Sequence, residues 1–292
     1  MTRTTPPRPL DVAAAFPALG PYRREAVRLH PRQGDPGPRD SSLGGPLWWP
    51  AAEPWPLCWE VHPATAAGGA VPLVPVLQLF AADLPELPFP AGSDVLHVLW
   101  CAVGHPDGPG PEPLLSWHHS SAGSGEWAVP RPPVGAVEHY LPVPCVLHPE
   151  RVSEYPGWDL PEELDDALAP WFDRLEETIG WSYEEHLSVA DGVKVGGYPT
   201  WGRDPQWPDC RGCRRRMEHL LTVGNAEFDG GTWRSWLPVE DTPATGTVWD
   251  LPVEQCDRLR NPSGLRIGDL GAVHLFTCPH CPDRPYAHRF GA

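Results

Sequence analysis

Cysteines spaced to share one ion carry the clearest chemistry in this sequence. Cys210-Arg-Gly-Cys213 and Cys278-Pro-His-Cys281 are two Cys-x2-Cys pairs separated by 64 residues. Thiolates three positions apart on a tight turn can face the same ion, and two such turns complete a tetrahedron of sulfur around Zn2+. The flanks suit this: the first pair opens toward an apolar run, Met217 to Val223, and the second closes another, Ala272 to Thr277. The arrangement reads as a zinc ribbon with a long loop. Redox pairs and unlinked cysteines are the competing readings, but a thioredoxin-type pair enters a helix of a strand-helix-strand unit. Neither pair sits there. Four thiolates leave no open coordination position, so the expected role of Zn2+ is structural. Arg211, Arg214, Arg215 and Arg216 crowd the first turn. They either offset the charge of a tetrathiolate site or form a small docking patch for an anionic partner.

A second set lies earlier in the chain. Cys58-x3-His62 and Cys101-x3-His105 fall where the two cysteine turns of the second half fall, with histidine as each second ligand. Cys58, His62, Cys101 and His105 are therefore a candidate second metal site, the alternative being two cysteines buried as small apolar groups. Other chemistry is sparse. His118, His119 and His139 occupy a Gly- and Ser-rich region and read as surface histidines, while Cys145 and Cys256 lack partners at ligand spacing. Glu162, Glu163, Asp165, Asp166, Glu176 and Glu177 read as the solvated face of a helix. No nucleophile elbow, phosphate-binding loop or His-Glu-x-x-His motif is present.

The elements that must position these residues come from an internal repeat. Gly45, Trp55 and Cys58 recur as Gly197, Trp207 and Cys210 at one offset of 152 residues, with Gly-Gly and Trp-Pro pairs at matching places. Each copy continues with two strand-like runs, Val74 to Phe80 and Asp94 to Trp100 in the first, Met217 to Val223 and Ala272 to Thr277 in the second. These runs carry β-branched and aromatic residues and end on Cys101 and Cys278. Between the copies, Asp159 as cap, Pro161 in the first turn and acids at the positive end announce a helix. Leu164, Leu168, Trp171, Leu175 and Ile179 give it one apolar face, and Pro170 is expected to kink or split it. Asp229 to Pro262 reads as a polar excursion, and Arg24 to Leu29 as an edge strand.

The expected fold is thus mostly β (α+β), with internally duplicated β-rich halves joined by a helical segment. Residues 1–40 form a Pro- and Arg-rich N-terminal segment, 41–150 the first half, 151–190 the helical connector and 191–292 the second half with the zinc ribbon. Composition agrees: 41 Pro and 29 Gly among 292 residues imply many turns and few long helices, while 15 Trp argue for a folded core rather than a disordered chain. A formal charge of -16 disfavours broad nucleic-acid or anionic-membrane binding. The longest apolar stretch, Val71 to Phe80, is too short and too often interrupted to span a bilayer, and the N-terminus has no apolar signal core. A cytoplasmic protein is expected, whose thiols are ligands rather than disulfides.

With these motifs in hand, the chain resembles the YwqG-like family of uncharacterised bacterial proteins. The resemblance rests on Ser42-Leu-Gly-Gly-Pro-Leu-Trp48, Gln78-Leu79 before Asp83-Leu-Pro-Glu-Leu87, the strand Asp94 to Cys101, and Val195-Gly-Gly-Tyr-Pro199. It implies a mostly β, internally duplicated fold and assigns no activity. The Cys210 to Cys281 portion is also similar to the C-terminal zinc-binding part of programmed cell death protein 2 relatives, which are dedicated chaperones of a ribosomal protein. The functional expectation is a non-catalytic, zinc-containing binding protein with a protein partner. The alternative is a metal-dependent hydrolase using His62, His105 and Cys101 around an open metal.

Overall fold

Proline and glycine cut the chain into short strands, some paired with their neighbours in sequence and others across more than 100 residues. The computed structural model describes residues 2–60, 62, 69–105, 110–121, 131–202, 204–268 and 271–291. Its strands in the first half of the chain are β1 (Arg24–Arg28), β2 (Arg32–Gln33), β3 (Ser42–Leu43), β4 (Leu57–Cys58), β5 (Val71–Pro72), β6 (Val74–Phe80), β7 (Val95–Cys101) and β8 (Glu112–His118). There follow β9 (Cys145–Val146), β10 (Glu150–Glu154), β11 (Lys194–Gly196), β12 (Glu218–Gly224), β13 (Ala272–Thr277) and β14 (Tyr286–Gly291). The molecule is β-rich, with a helix, Glu162–Ile179, between the two groups of long strands. No helix among the described residues is long and apolar enough to cross a membrane.

Two six-stranded antiparallel sheets run β2-β9-β3-β6-β7-β8 and β10-β1-β11-β12-β13-β14, and β4 and β5 form a separate hairpin. Register matches between the large sheets. Ser42 faces Gln78 as Lys194 faces Thr222, and Gln78 faces His97 as Thr222 faces His274. A bulge falls between Pro75 and Leu77 in β6 and between His219 and Leu221 in β12. At the first of these Pro75 sits beside the irregularity, where a missing backbone donor does least harm.

One antiparallel ribbon joins the sheets. Arg24 pairs with Glu154 and Arg28 with Glu150 in one sheet, and Arg32 with Val146 and Gln33 with Cys145 in the other, all in a single register. The His148 N–H donates to Leu29 O (2.7 Å) across the gap between the two stretches. The expected edge strand at Arg24–Leu29 is instead interior, flanked by β10 and β11, because its Ala26, Val27 and Leu29 are buried. Both sheets feed one apolar core: Val27, Leu43, Val98 and Trp100 share it with Val195, Leu221, Val273 and Leu275. Strand alternation turns His97, His274 and Phe276 to the opposite faces.

The helix narrows the sequence reading in one place and corrects it in two. It runs unbroken through Pro170, and its end is set by Gly180 in the left-handed region (φ 69°). Trp171 and Ile179 are exposed, whereas Leu164, Leu168, Phe172 and Leu175 pack against Phe16, Tyr155 and Tyr183. Phe172 lies four residues beyond Leu168, directly above it on the same face. Asp159 does not cap the helix, since its carboxylate accepts from the indole Nε1 groups of Trp201 (2.9 Å) and Trp207. The polar excursion Asp229 to Pro262 folds into short helices that bury Phe228, Trp236, Val248 and Cys256 together.

Beside the ribbon lies a buried charge pair. Lys194 Nζ donates to Glu154 Oε1 at 2.7 Å with both side chains inaccessible to solvent. Burial pushes the Lys194 ammonium down, and Glu154 acts against that shift. Glu154 also accepts from the N–H groups of Ala190 (2.9 Å) and Tyr198 (2.8 Å). Gly197, at φ 65°, leaves it room: a Cβ there would lie 2.1 Å from Glu154 Oε2. Removing one partner of a buried pair strands the other charge, at a cost of about 3–5 kcal/mol. Lys194→Ala should lose stability on that scale in urea unfolding, and the double change Lys194→Met with Glu154→Leu should recover part of it. A single-variant loss below about 1 kcal/mol would show the pair to be dispensable.

Candidate metal centres

Each cysteine motif sits where two strand turns meet at one end of a sheet. In the second half, Asp209 bridges to Arg216, the Cys210 N–H donates to Arg215 O (2.8 Å) and the Arg214 N–H donates to Cys210 O (2.8 Å). These bonds close the turn so tightly that Arg214 takes a positive φ of 62°. The opposite turn repeats the device: the Cys278 N–H donates to Pro285 O (2.9 Å), the Arg284 N–H to Cys281 O (3.1 Å), and Arg284 has φ 45°. Side-chain-bearing residues adopt this region at a cost of order 1–3 kcal/mol each. The backbone hydrogen bonds of the two turns hold Arg214 and Arg284 in this region.

The first half positions its donors on matching elements. Cys58 faces Val71 in the β4–β5 hairpin, and Cys101 faces Glu112 where β7 and β8 end. The Leu73 N–H donates to Pro56 O (3.0 Å) as the Met217 N–H donates to Pro208 O (2.9 Å). The chain between Cys58 and Val71 is longer than that between Cys210 and Arg215. A histidine one position further along than the second cysteine can therefore turn back to the site.

Both groups converge to metal-binding dimensions. Within each set, Cys58, His62, Cys101 and His105 or Cys210, Cys213, Cys278 and Cys281, all ligand atoms lie within 4.8 Å of one another. A regular tetrahedron with Zn–S bonds of about 2.3 Å has S···S edges near ~3.8 Å, and Zn–N bonds of about 2.0 Å give N···N edges near ~3.3 Å. The Sγ atoms of Cys210 and Cys281 are 3.8 Å apart, and those of Cys213 and Cys278 are 3.5 Å apart. His62 Nε2 lies 3.1 Å from both His105 Nε2 and Cys101 Sγ, and Cys58 Sγ is 3.7 Å from His105 Nε2. The sequence-derived ligand sets are thus brought together as two groups, each able to hold a metal ion.

Protonation reflects the crowding of the donors. Burial pushes the Cys101 thiol up to about 12. At Cys278, burial acts upward but the His280 N–H and the Cys213 and Cys210 thiols outweigh it and bring the group down to about 7. Burial and the other three thiols together push Cys281 up to about 12. Burial, then His105, lowers His62, so its imidazole is neutral and fit to ligate.

Apolar walls enclose the two sets. Trp201, Met217 and Phe276 pack around the four-cysteine group, and Leu47, Leu73 and Leu99 around the Cys/His group. Arg211, Arg214, Arg215 and Arg216 are all exposed. Arg216 stacks over Trp207, 4.0 Å from the ring centroid, and its Nη2 is 4.0 Å from Asp159 Oδ1. Cys145 and Cys256 stand apart from both groups, the former buried with its Sγ directed at Val143 O and Pro262 O.

One polar chain escaped the sequence reading. His118 is buried, not a surface residue, because it is the last position of β8 and turns inward beneath Trp48 and Trp49. Gln78 Nε2 donates to Pro38 O and Asp40 O, so its Oε1 accepts from the Trp48 N–H (2.6 Å) and from His97 Nε2 (3.0 Å). His97 Nδ1 then accepts from His118 Nδ1 at 2.9 Å. Burial and His118 push His97 down to about 3, and burial does the same to its counterpart His274, which bonds Thr222 Oγ1 (3.0 Å). The signal available in the sequence was the alternation of β7 and β8, which sets His97 and His118 on one face.

No family model matches the chain, and no curated protein matches it. The donor geometry therefore generates its own test. Titrating metal-free protein with Co2+ should produce thiolate charge-transfer absorption, and Cys101→Ser should weaken it while leaving the four-cysteine contribution intact. Absorption that Cys101→Ser leaves unchanged would remove the first group from the metal-binding set.

Proposed function

We propose that this chain is a non-catalytic zinc-containing protein-interaction module with Zn2+ bound structurally in both groups. The observation that supports this most is the closure of each donor set: four protein ligands at tetrahedral spacing leave no position for water or substrate. A hydrolase built on His62, His105 and Cys101 needs such a position, and Cys58 Sγ, 3.7 Å from His105 Nε2, fills it. Matching registers in the two sheets support an origin by duplication of one β unit carrying one metal site. On this reading the first unit exchanged two thiolates for imidazoles as its turns lengthened. The same reading includes kinship with the YwqG-like family and with the zinc-binding part of programmed cell death protein 2 relatives, and a cytoplasmic setting. The partner is another protein, whereas the acidic balance of the chain disfavours nucleic acid.

Metal analysis of chelator-free protein tests the proposal. Two equivalents of Zn2+ per chain are expected, and less than half an equivalent would sink it. Structural zinc contributes on the order of 10 kcal/mol to small zinc peptides. Cys278→Ser should therefore release one equivalent and loosen the segments Trp207 to Cys213 and Ala272 to Cys281. Hydrogen exchange should rise there and stay unchanged in β6 and β7.

A further inference from the structure

Acidic side chains are unevenly placed along the chain. Residues 157–204 hold twelve acidic against three basic residues. Much of this charge lines two clefts on either side of Trp158. One, of about 450 Å³, is lined by Glu185, Asp191, Asp229, Trp201 and Arg260. The other, of about 550 Å³, is lined by Glu162, Asp165, Phe172, Asp173, Glu176 and Asp204. Gly157, Trp158 and Glu184 border both. None of the nine carboxylates in these clefts is in a salt bridge among the described residues.

The shared rim has a built geometry. Trp158 Nε1 donates to Glu184 Oε1 at 2.5 Å, and the ring is 47% exposed. The same pairing occurs elsewhere in the molecule with its cation present. Trp207 Nε1 donates to Asp159, and Arg216 lies over that ring at 4.0 Å with its guanidinium 4.0 Å from the carboxylate. Arg24 over Tyr198 and Arg234 over Trp181 show the same preference for a ring face. Among the described residues, no cation lies over Trp158. A planar guanidinium can stack on an indole and fork a carboxylate at once, which an ammonium cannot do.

We propose that the Trp158–Glu184 rim and its two acidic clefts bind an arginine-containing basic segment of another protein, with one guanidinium on Trp158 and neighbouring cations in the clefts. Carboxylates on both sides of the rim exceed what a single small cation would neutralise, so an extended peptide is the occupant. The inference rests on reading the chain as a protein-interaction module and names the chemistry of the partner. It is separable from the metal reading, because metal content and peptide binding are measured independently.

The test uses the full zinc-loaded chain and a fluorescein-labelled nine-residue peptide alternating Gly and Arg, followed by anisotropy at low and moderate salt. Binding is expected, with the lysine version of the peptide about tenfold weaker. Trp158→Ala and Glu184→Gln should each weaken binding about tenfold, and Trp171→Ala, another exposed indole, should leave it unchanged. Glu184 is exposed, so Glu184→Gln keeps the test valid should Trp158→Ala perturb folding. No binding, equal affinity for both peptides, or full affinity in Glu184→Gln would each overturn the proposal. Concentration-dependent self-association abolished by Glu184→Gln would also overturn it, by making a second copy of the chain the occupant.

Discussion

The pairing of residues 24–33 with residues 145–154 is the constraint on which the rest of the molecule depends. Because one register holds along the whole ribbon, its first strand is interior to one sheet where its second strand is peripheral, and the roles exchange at Leu29 and His148. Each sheet thereby borrows an inner strand from a distant part of the sequence. Side chains alternate along both strands, so a slip by one residue would turn Val27 and Leu29 out of the core shared by the sheets. Lys194, Glu154 and Gly197 sit at the same seam, where polar contacts add specificity to the apolar packing.

From that seam outward, the sheets carry matching pairs with different chemistry. Gln78 and His97 in one correspond in register to Thr222 and His274 in the other, and each histidine is kept neutral by burial. His118 continues the chain in the first sheet, and Gly291, at the matching place in β14, cannot. His274 turns instead to Thr200 O. Beyond these pairs lie the indoles, Trp49 with Trp55 and Trp201 with Trp207, and beyond them the turns that carry the two Cys/His groups. The layers run in the same order on both sides, from apolar core to buried imidazole to tryptophan to thiol.

The members of the two Cys/His groups were legible in the sequence because Cys-x2-Cys spacing and the Gly-Gly, Trp-Pro and Cys offsets are local signals. The long strands were legible as well, since Val74 to Phe80 and Ala272 to Thr277 are apolar and bounded by turn residues. What local signals could not reveal was partnership. Arg24 to Leu29 has the pattern of an edge strand and becomes interior only because β10 and β11 arrive on either side of it. Asp159 has the sequence context of a helix cap, yet two indoles from more than 40 residues away claim its oxygens. Trp171 and Phe172 are equally apolar neighbours, and only the packing of Phe16 and Tyr183 decides which one turns inward to a half-buried place.

The interleaved ribbon also dictates an order of events during synthesis. When the ribosome has delivered β1, the strands that flank it have not yet been made, and more than 120 residues must follow before β10 is available. An emerging chain thus holds a buried-type strand exposed until the second half is out of the exit tunnel. Contacts of such sequence separation slow folding, because loop closure precedes their reward. The prolines before and between the early strands keep those waiting β-edges short.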